Sequence, residues 1–185
     1  SLGEVNDRID HAIVSNWGPD HCLTANSLIK AGLKSLTIEK PLCTSISEGY
    51  SLKNNASFED VFVNVHFRWS YTNILSKLND ISEAYSLGQP IEMICAGGAH
   101  CLSTGGLHWI DLARKLFKEE PTHVTANCYN DPINPRSKEL SFLGGFIQLL
   151  FPNRKNLIIN FSNQTSLPLD VKIMYRNGFV KINPP

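Results

Sequence analysis

The fold is decided by the stretch Leu36-Thr37-Ile38-Glu39-Lys40-Pro41. Its first three residues form a short apolar run that is typical of a buried strand. Pro41 interrupts that strand, because proline cannot donate to a central sheet ladder. Ligands of α/β proteins bind at the carboxyl ends of parallel strands, so Lys40 is a candidate functional residue. The alternative is a solvated lysine in a turn.

Strand and helix signals alternate on both sides of this stretch. Ala12-Ile13-Val14 predicts a strand, and Pro19-Asp20 opens a helix that Gly32 ends as a C-cap. Ser45-Ile46-Ser47-Glu48 is a capping box, which starts a further helix. Val61 to Val65 predict another strand. Apolar runs separated by helices of about a dozen residues are typical of βαβ units with a parallel sheet.

The pattern changes after Tyr71. Helical spacing of apolar residues predicts one helix from Tyr71 to Tyr85 and another from Leu107 to Phe117, with a strand at Ile91 to Ala96 between them. Asn177-Gly178 is a signal for a type I′ hairpin. We therefore predict antiparallel sheet over roughly the last sixty residues. The residues predicted to face its core are Val124, Ala126 and Cys128 in one strand and Leu169, Val171, Ile173 and Tyr175 in another.

These elements predict a two-part organisation of the chain. Residues 1–68 form a parallel α/β part, and residues 69–185 form an α+β part with an antiparallel sheet. Neither an internal repeat nor a linker rich in Gly, Pro or Ser separates them.

Composition excludes several classes of protein. The 185 residues contain 17 Lys and Arg against 17 Asp and Glu. Zero net charge disfavours nucleic acid and anionic membranes as main partners. No stretch approaches the roughly 18 apolar residues of a membrane helix, and the first residues do not form a secretory signal. Five cysteines without a C-x-x-C pair suit reduced thiols, so we expect a cytoplasmic protein without disulfides.

A second group of candidate residues surrounds His108. Thr104, His108 and Asp111 are spaced i, i+4 and i+7, so on a helix they share one polar stripe. The pairs Gly97-Gly98 and Gly105-Gly106 allow a ligand to approach the backbone closely. A helix N-terminus favours neutral imidazole, which accepts a proton, so His108 is a candidate base. The alternative is an ordinary solvated helix face.

Histidine and cysteine residues near His108 suggest zinc as another interpretation. His100, Cys101 and His108 would then belong to a metal-dependent lyase or hydrolase. Their spacing matches no familiar ligand set, and a fourth ligand is missing. We therefore expect no metal.

Two other positions lie near predicted strand ends. His21 opens a helix directly after a strand-end turn, where side chains line a cofactor crevice. The alternative is an exposed residue in the first helical turn. Arg68 and Trp69 close the last parallel strand, and the pattern favours a surface cation beside a packed aromatic ring.

In this order, the motifs resemble the glucose-fructose oxidoreductase, inositol dehydrogenase and rhizopine-catabolism family of nicotinamide-dependent oxidoreductases. The resemblance covers nearly the whole chain. It implies an α/β fold in which the C-terminal half of a Rossmann-type parallel sheet is followed by an α+β domain with an open, mainly antiparallel sheet. The matching segments are Ala12 to His21, Ala31-Gly32, Ile38 to Leu42, Val63 to Arg68, and Gly105-Gly106 followed by His108 to Leu112.

The family implies NAD or NADP as cofactor and a sugar, polyol or sugar derivative as substrate. By this resemblance Lys40 and His108 are catalytic: His108 takes the hydroxyl proton while Lys40 steadies charge on the oxygen. The antiparallel sheet would mediate homo-oligomers. The resemblance further assigns cofactor binding to Asn16, His21, Glu39, Lys40 and Pro41, and substrate binding to Arg68, Thr104 and Asp111.

The chain departs from the family pattern in two places. Many members carry an aspartate four residues before the histidine, where this chain has Thr104. No G-x-G-x-x-G occurs, so we expect the chain to start at the fourth Rossmann strand, to be a fragment that also stops early, and to bind a dinucleotide poorly alone. The alternative is a non-catalytic remnant or structural subunit that oligomerises through its sheet and has lost cofactor binding.

Overall fold

The part of the protein that the structure describes contains two separate β-sheets. The structure is a computed structural model, and it describes residues 9–98, 100–131, 142–162, 164 and 167–183. Backbone contacts divide the chain into two units, the first ending at Ser70 and the second starting at Tyr71. Each unit has one of the sheets.

The first unit is a parallel sheet with helical connections. Its strands lie in the order β1-β2-β3, and every pairing is parallel. This confirms the predicted βαβ pattern, although the first helix begins later than Pro19 because a 3-10 turn, Gly18–Asp20, precedes it. The elements are β1 Ala12–Val14, α1 His21–Lys30, β2 Ser35–Glu39, α2 Ile46–Phe58 and β3 Phe62–His66.

The core of this unit lies on one face of the sheet. Leu36 and Ile38 of β2 are fully buried with Val14 against residues of α1 and α2. Because successive side chains of a strand point to opposite faces, Thr37 and Glu39 belong to the other face. The capping box of α2 is formed as predicted, since Ser45 and Glu48 each accept the other's backbone N–H.

The second unit contains a six-stranded sheet and two α-helices within the described residues. The strand order is β5-β6-β7-β4-β8-β9. Helix α4 packs against β4 and β7. The elements are α3 Ile74–Ala84, β4 Pro90–Gly97, α4 Leu107–Phe117, β5 His123–Asp131, β6 Phe142–Leu150, β7 Asn156–Phe161, β8 Asp170–Tyr175 and β9 Gly178–Ile182.

This sheet is mixed but mainly antiparallel, and the strands of the last sixty residues pair antiparallel with one another, as predicted. Strand β7 pairs with β4 in parallel, with Leu157 opposite Met93. The other pairings of the sheet are antiparallel, including the β8–β9 hairpin that Asn177-Gly178 predicted. Residue alternation identifies a strand and its faces, but it does not identify the neighbouring strand.

Burial separates the central strands from the edge. Val171, Ile173 and Tyr175 of β8 are buried, as their alternation predicts, whereas Leu169 is only partly buried. The prediction for β5 is wrong, because Val124 is 65% exposed and Ala126 and Cys128 are exposed as well. Strand β5 lies at the edge of the sheet and pairs with β6 alone among the described strands.

Of the two helices described in this unit, α3 is shorter than predicted and α4 has its predicted length. Helix α3 begins at Ile74 rather than Tyr71 and ends at Ala84. Helix α4 has the predicted bounds, with Ala113, Leu116 and Phe117 buried. Among the residues that the structure describes, no helix is long and apolar enough to cross a membrane.

Gly145 tests the β5–β6 pairing. Its φ is +117°, and a Cβ there would lie 2.3 Å from the carbonyl oxygen of Asn127. We expect Gly145→Ala to lower the free energy of unfolding by on the order of 3 kcal/mol, because backbone strain and overpacking add. Urea denaturation measures this change.

Gly32 provides the matched control for that substitution. It also has positive φ, at +92°, but a Cβ there would meet nothing within 4 Å. Gly32→Ala should therefore cost only about 1–2 kcal/mol, from the left-handed backbone alone. Equal losses in the two variants would contradict the β5–β6 register.

Candidate functional site

Residues predicted to bind cofactor and, in the case of Arg68, substrate lie at one edge of the sheet of the first unit. All three strands are parallel, so their carboxyl ends meet at the same edge. Asn16 follows β1, Lys40 and Pro41 follow β2, and Arg68 follows β3. The structure thus places residues that are far apart in sequence at the same edge of this sheet.

His21 joins two of the loops at this edge. Its side chain is only 2% exposed, which excludes the exposed first-turn alternative. Nδ1 lies 2.7 Å from the carbonyl oxygen of Pro41, and Nε2 lies 3.0 Å from that of Asn16. Carbonyl oxygens only accept, so in a hydrogen bond with either of them the ring N–H is the donor. A direct contact of His21 with a cofactor stays a prediction.

The Lys40–Pro41 turn lies one residue beyond the end of β2, and its peptide bond is cis. The backbone N–H of Lys40 donates to Glu39 Oε2 at 3.2 Å. The other oxygen of that carboxylate, Oε1, accepts from Nδ1 of His66 at 2.6 Å. Both side chains of this ion pair are partly exposed.

Sequence reasoning missed His66. The predicted strand ends at Val65, whereas β3 extends to His66, which lies opposite Glu39 in the register. Two predicted neighbouring parallel strands that both end in a titratable residue, Glu39 and His66, are the pattern that could have identified it.

Asn16 and Arg68 have contacts of their own. The Asn16 amide Nδ2 donates to Thr24 Oγ1 at 3.0 Å, which ties the loop after β1 to α1. The Arg68 guanidinium lies 5.0 Å from the centre of the Trp69 ring, and Trp69 is buried. This cation–π contact confirms the predicted cation beside a packed aromatic ring. Binding of cofactor by Asn16 and of substrate by Arg68 stays a prediction.

In the second unit, a π-helical turn, Leu102–Gly106, leads directly into α4. The carbonyl oxygen of Cys101 accepts from the backbone N–H groups of Gly105 at 2.7 Å and Gly106 at 3.2 Å. His108 is the second residue of α4 and is partly buried, so it has the predicted place near a helix N-terminus. Thr104 lies in the π-turn and not on α4. Such turns are frequent at functional sites.

Asp111 is not on a solvated stripe, which corrects the sequence-based interpretation of the Thr104, His108 and Asp111 spacing. Its side chain is 8% exposed, and Lys115, one turn later, donates from Nζ to Oδ2 at 2.7 Å. A buried carboxylate needs such a partner, because desolvation otherwise disfavours its charge. Substrate binding by Asp111 and Thr104 stays a prediction.

Apolar packing fixes the helix that carries His108. The residues following it, Trp109, Leu112 and Ala113, are buried, and α4 packs on β4 and β7. The burial of these side chains therefore holds the first turn of α4, and His108 within it, in place.

The residues considered for zinc have other roles. His100 packs against Phe161 with ring centres 5.4 Å apart, and burial lowers the pKa of its imidazole. Within the described residues, no group of three or more His, Cys, Asp or Glu side chains could hold a metal ion. The five cysteines are free thiols.

The cysteines differ in their chemistry. Burial and, to a smaller extent, the neighbouring Cys43 raise the pKa of the Cys22 thiol to about 11. Burial alone would also raise the pKa of Cys101, but hydrogen bonds with Ser103 and with the backbone of Leu143 outweigh it, so this pKa lies below its ordinary value.

Thiol alkylation tests this difference between the cysteines. The thiolate is the reactive form, so iodoacetamide at neutral pH should modify Cys101 faster than Cys22. Ser103→Ala removes one hydrogen-bond partner and should slow the reaction of Cys101 alone. Peptide mass spectrometry over time measures both rates, and faster alkylation of Cys22 would contradict the described π-turn.

Substitution of His21 tests the bridge between the loops. His21→Leu removes the ring N–H that the carbonyl oxygens of Pro41 and Asn16 contact and should lower the free energy of unfolding by about 1–3 kcal/mol. His21→Asn places an amide near Nδ1 and His21→Gln one near Nε2, so each should recover part of that loss. Chemical denaturation distinguishes the variants, and a leucine variant as stable as the natural chain would refute the bridge.

Comparison with known proteins gives matches by structure. No family model matches the sequence, and no curated protein sequence matches it. Myo-inositol 2-dehydrogenase from Lactobacillus plantarum has a TM-score of 0.75 and 18% identity, over 97% of this chain and 59% of that chain. Aldose-aldose oxidoreductase from Caulobacter crescentus, complexed with glycerol, has a TM-score of 0.79 and 18% identity, over 97% and 58%.

A third similar structure contains a dinucleotide. It is an oxidoreductase from Agrobacterium radiobacter in complex with NAD+, L-tartaric acid and magnesium, with a TM-score of 0.73 and 15% identity, over 96% of this chain and 62% of that chain. The chain spans less than two thirds of each of these structures. At such identities the likeness shows a shared fold. Nearly the whole chain therefore has the fold of these dehydrogenases and oxidoreductases, which confirms the predicted fold class.

Proposed function

We propose that this chain belongs to an NAD- or NADP-dependent oxidoreductase that transfers a hydride between the nicotinamide and a hydroxyl-bearing carbon of a sugar, polyol or sugar derivative. The observation that carries the proposal is the position of Lys40, directly after β2 at the carboxyl edge of a parallel sheet. Similar structures with this fold are dehydrogenases and oxidoreductases. Because the chain spans only part of their length, the activity of the whole protein is part of the proposal.

The residues at the sheet edge fit the nicotinamide half of a dinucleotide. Asn16, Glu39 and Lys40 place an amide, a carboxylate and a cation on neighbouring strand ends, where open α/β sheets bind ligands. The 185 residues contain no G-x-G-x-x-G to cradle a pyrophosphate. The bound nicotinamide would supply a hydride acceptor. Asn16, His21, Glu39, Lys40 and Pro41 are the residues that we propose around it.

The chain's own residues would handle the proton and the oxygen. We assign His108 the hydroxyl proton of the substrate, since a neutral imidazole near a helix N-terminus accepts protons. The ammonium of Lys40 would stabilise negative charge on that oxygen while the carbonyl forms. The proposed substrate-binding residues are Arg68, Thr104 and Asp111. The carboxylate of Asp111 would act while paired with the ammonium of Lys115.

The second candidate is a non-catalytic subunit that assembles through its sheet. Thr104 favours it, because a threonine cannot be a charged partner for His108. Exposed Val124 and Phe179 on the outer strands of the second sheet favour contact with another copy. We propose homo-oligomers in both cases, and a cytoplasmic location with reduced thiols. Dinucleotide binding discriminates the two functions.

The test uses protein expressed from its natural reading frame. Tryptophan fluorescence during titration with NADH and NADPH should show binding, and a polyol panel should show dinucleotide reduction. Lys40→Ala and His108→Ala should each lower kcat by about 10²–10⁴-fold, a larger effect than any loss of dinucleotide affinity. Because Lys40 and His108 would act together on one substrate, the losses of kcat in the two single variants should not be additive in the double variant.

Matched variants sharpen this experiment. Lys40→Arg retains the charge and His108→Gln retains a polar side chain without a base, so the first should lose less than the second. Absence of both binding and turnover in the natural protein would overturn the proposal and favour the structural subunit.

A further inference from the structure

The Lys40 backbone is held by a side-chain relay that the proposed mechanism does not use. The His66 ring donates from Nδ1 to Glu39 Oε1 at 2.6 Å, and the Lys40 N–H donates to Glu39 Oε2 at 3.2 Å. Each oxygen of one carboxylate thus has a different partner. Glu39 and His66 are opposite each other at the ends of β2 and β3, so the sheet register creates the contact.

The relay lies where the sheet ladder stops. Strand β2 ends at Glu39, so Lys40 is the first residue beyond the strand pairing with β3. A lysine side chain has a flexible four-carbon stem. The region that its ammonium can reach therefore depends on the position and orientation of the backbone to which the stem is attached. Fixing the Lys40 N–H therefore limits the region that the ammonium can reach.

We propose that His66 is a positioning residue for Lys40, acting through the Glu39 carboxylate. This inference rests on the proposed function, in which Lys40 stabilises charge on the substrate oxygen. His66 holds one oxygen of Glu39 so that the other faces the Lys40 N–H. The competing explanation is an ordinary surface ion pair, since both side chains are partly exposed and such pairs contribute little to stability.

Two substitutions separate these explanations. His66→Asn places an amide nitrogen near the position of Nδ1, so it retains a donor to Glu39. His66→Gln places its amide near Nε2 and loses that donor. The two variants are similar in polarity and are both uncharged, so loss of an ion pair alone affects them equally.

The readout is the Lys40 ammonium in the chain without cofactor or substrate. Reductive methylation with ¹³C-formaldehyde labels the lysines, and Lys40→Arg identifies the Lys40 signal in ¹H–¹³C spectra. We expect His66→Gln to shift and broaden this signal and His66→Asn to preserve it. The signal of Lys115, which binds Asp111 in the second unit, should not change in either variant.

Each outcome decides the proposal. Equal Lys40 signals in the two variants and the natural chain would overturn it, and so would equal shifts in both, which indicate a surface ion pair. Glu39→Gln leaves one acceptor oxygen for two donors and should shift the Lys40 signal as His66→Gln does, and an unchanged signal there would also overturn it. This variant decides the matter if either His66 variant does not fold.

Turnover separates this proposal from the proposed function. In active protein, His66→Gln should lower kcat by about tenfold to hundredfold, more than it lowers dinucleotide affinity, because misplacement of a catalytic group is costly. His66→Asn should retain most of the rate. A different result is a protein that reduces no dinucleotide while the Lys40 signal shifts in His66→Gln and is preserved in His66→Asn. That result would support the positioning role of His66 and refute the proposed reaction.

Discussion

The turn after β2 is the constraint on which the candidate site depends. A sheet ladder fixes its residues through backbone hydrogen bonds, but β2 ends one residue before Lys40. The two backbone groups on either side of the Lys40–Pro41 bond are held instead by side chains. Glu39 accepts from the Lys40 N–H, and the buried ring of His21 contacts the Pro41 carbonyl. Because polar groups that are partly removed from water cost free energy without a partner, these contacts favour one arrangement of the turn.

Much of the fold follows from local signals in the sequence. The capping box at Ser45 and the hairpin at Asn177-Gly178 are found as predicted, since each depends on a few adjacent residues. The parallel pairing of β7 with β4 depends on residues more than sixty positions apart, such as Met93 and Leu157, which no local pattern records. Alternation in β5 likewise predicts two faces but not a strand at the sheet edge, where both are exposed.

The site shows the same division between local and distant information. Lys40 was identified because a strand followed by proline is visible in the sequence, and its place at the sheet edge agrees with that pattern. His66 was missed because its role depends on the register between two strands. Helical spacing describes directions around an axis, so for Asp111 it leaves open both a functional role and a solvated helix face. The burial of that carboxylate depends on what packs nearby, and its pairing with Lys115 makes the burial tolerable.

The two proposed catalytic side chains are held by different forces. Lys40 follows a strand and depends on directional hydrogen bonds from Glu39 and His21, which single polar substitutions remove. His108 lies within a helix whose next residues are buried apolar side chains, so its position depends on packing. Packing is non-directional and distributed over many contacts, whereas a hydrogen bond depends on one donor and one acceptor. Of these two positions, the Lys40 turn is therefore the one that a single side-chain change alters more readily.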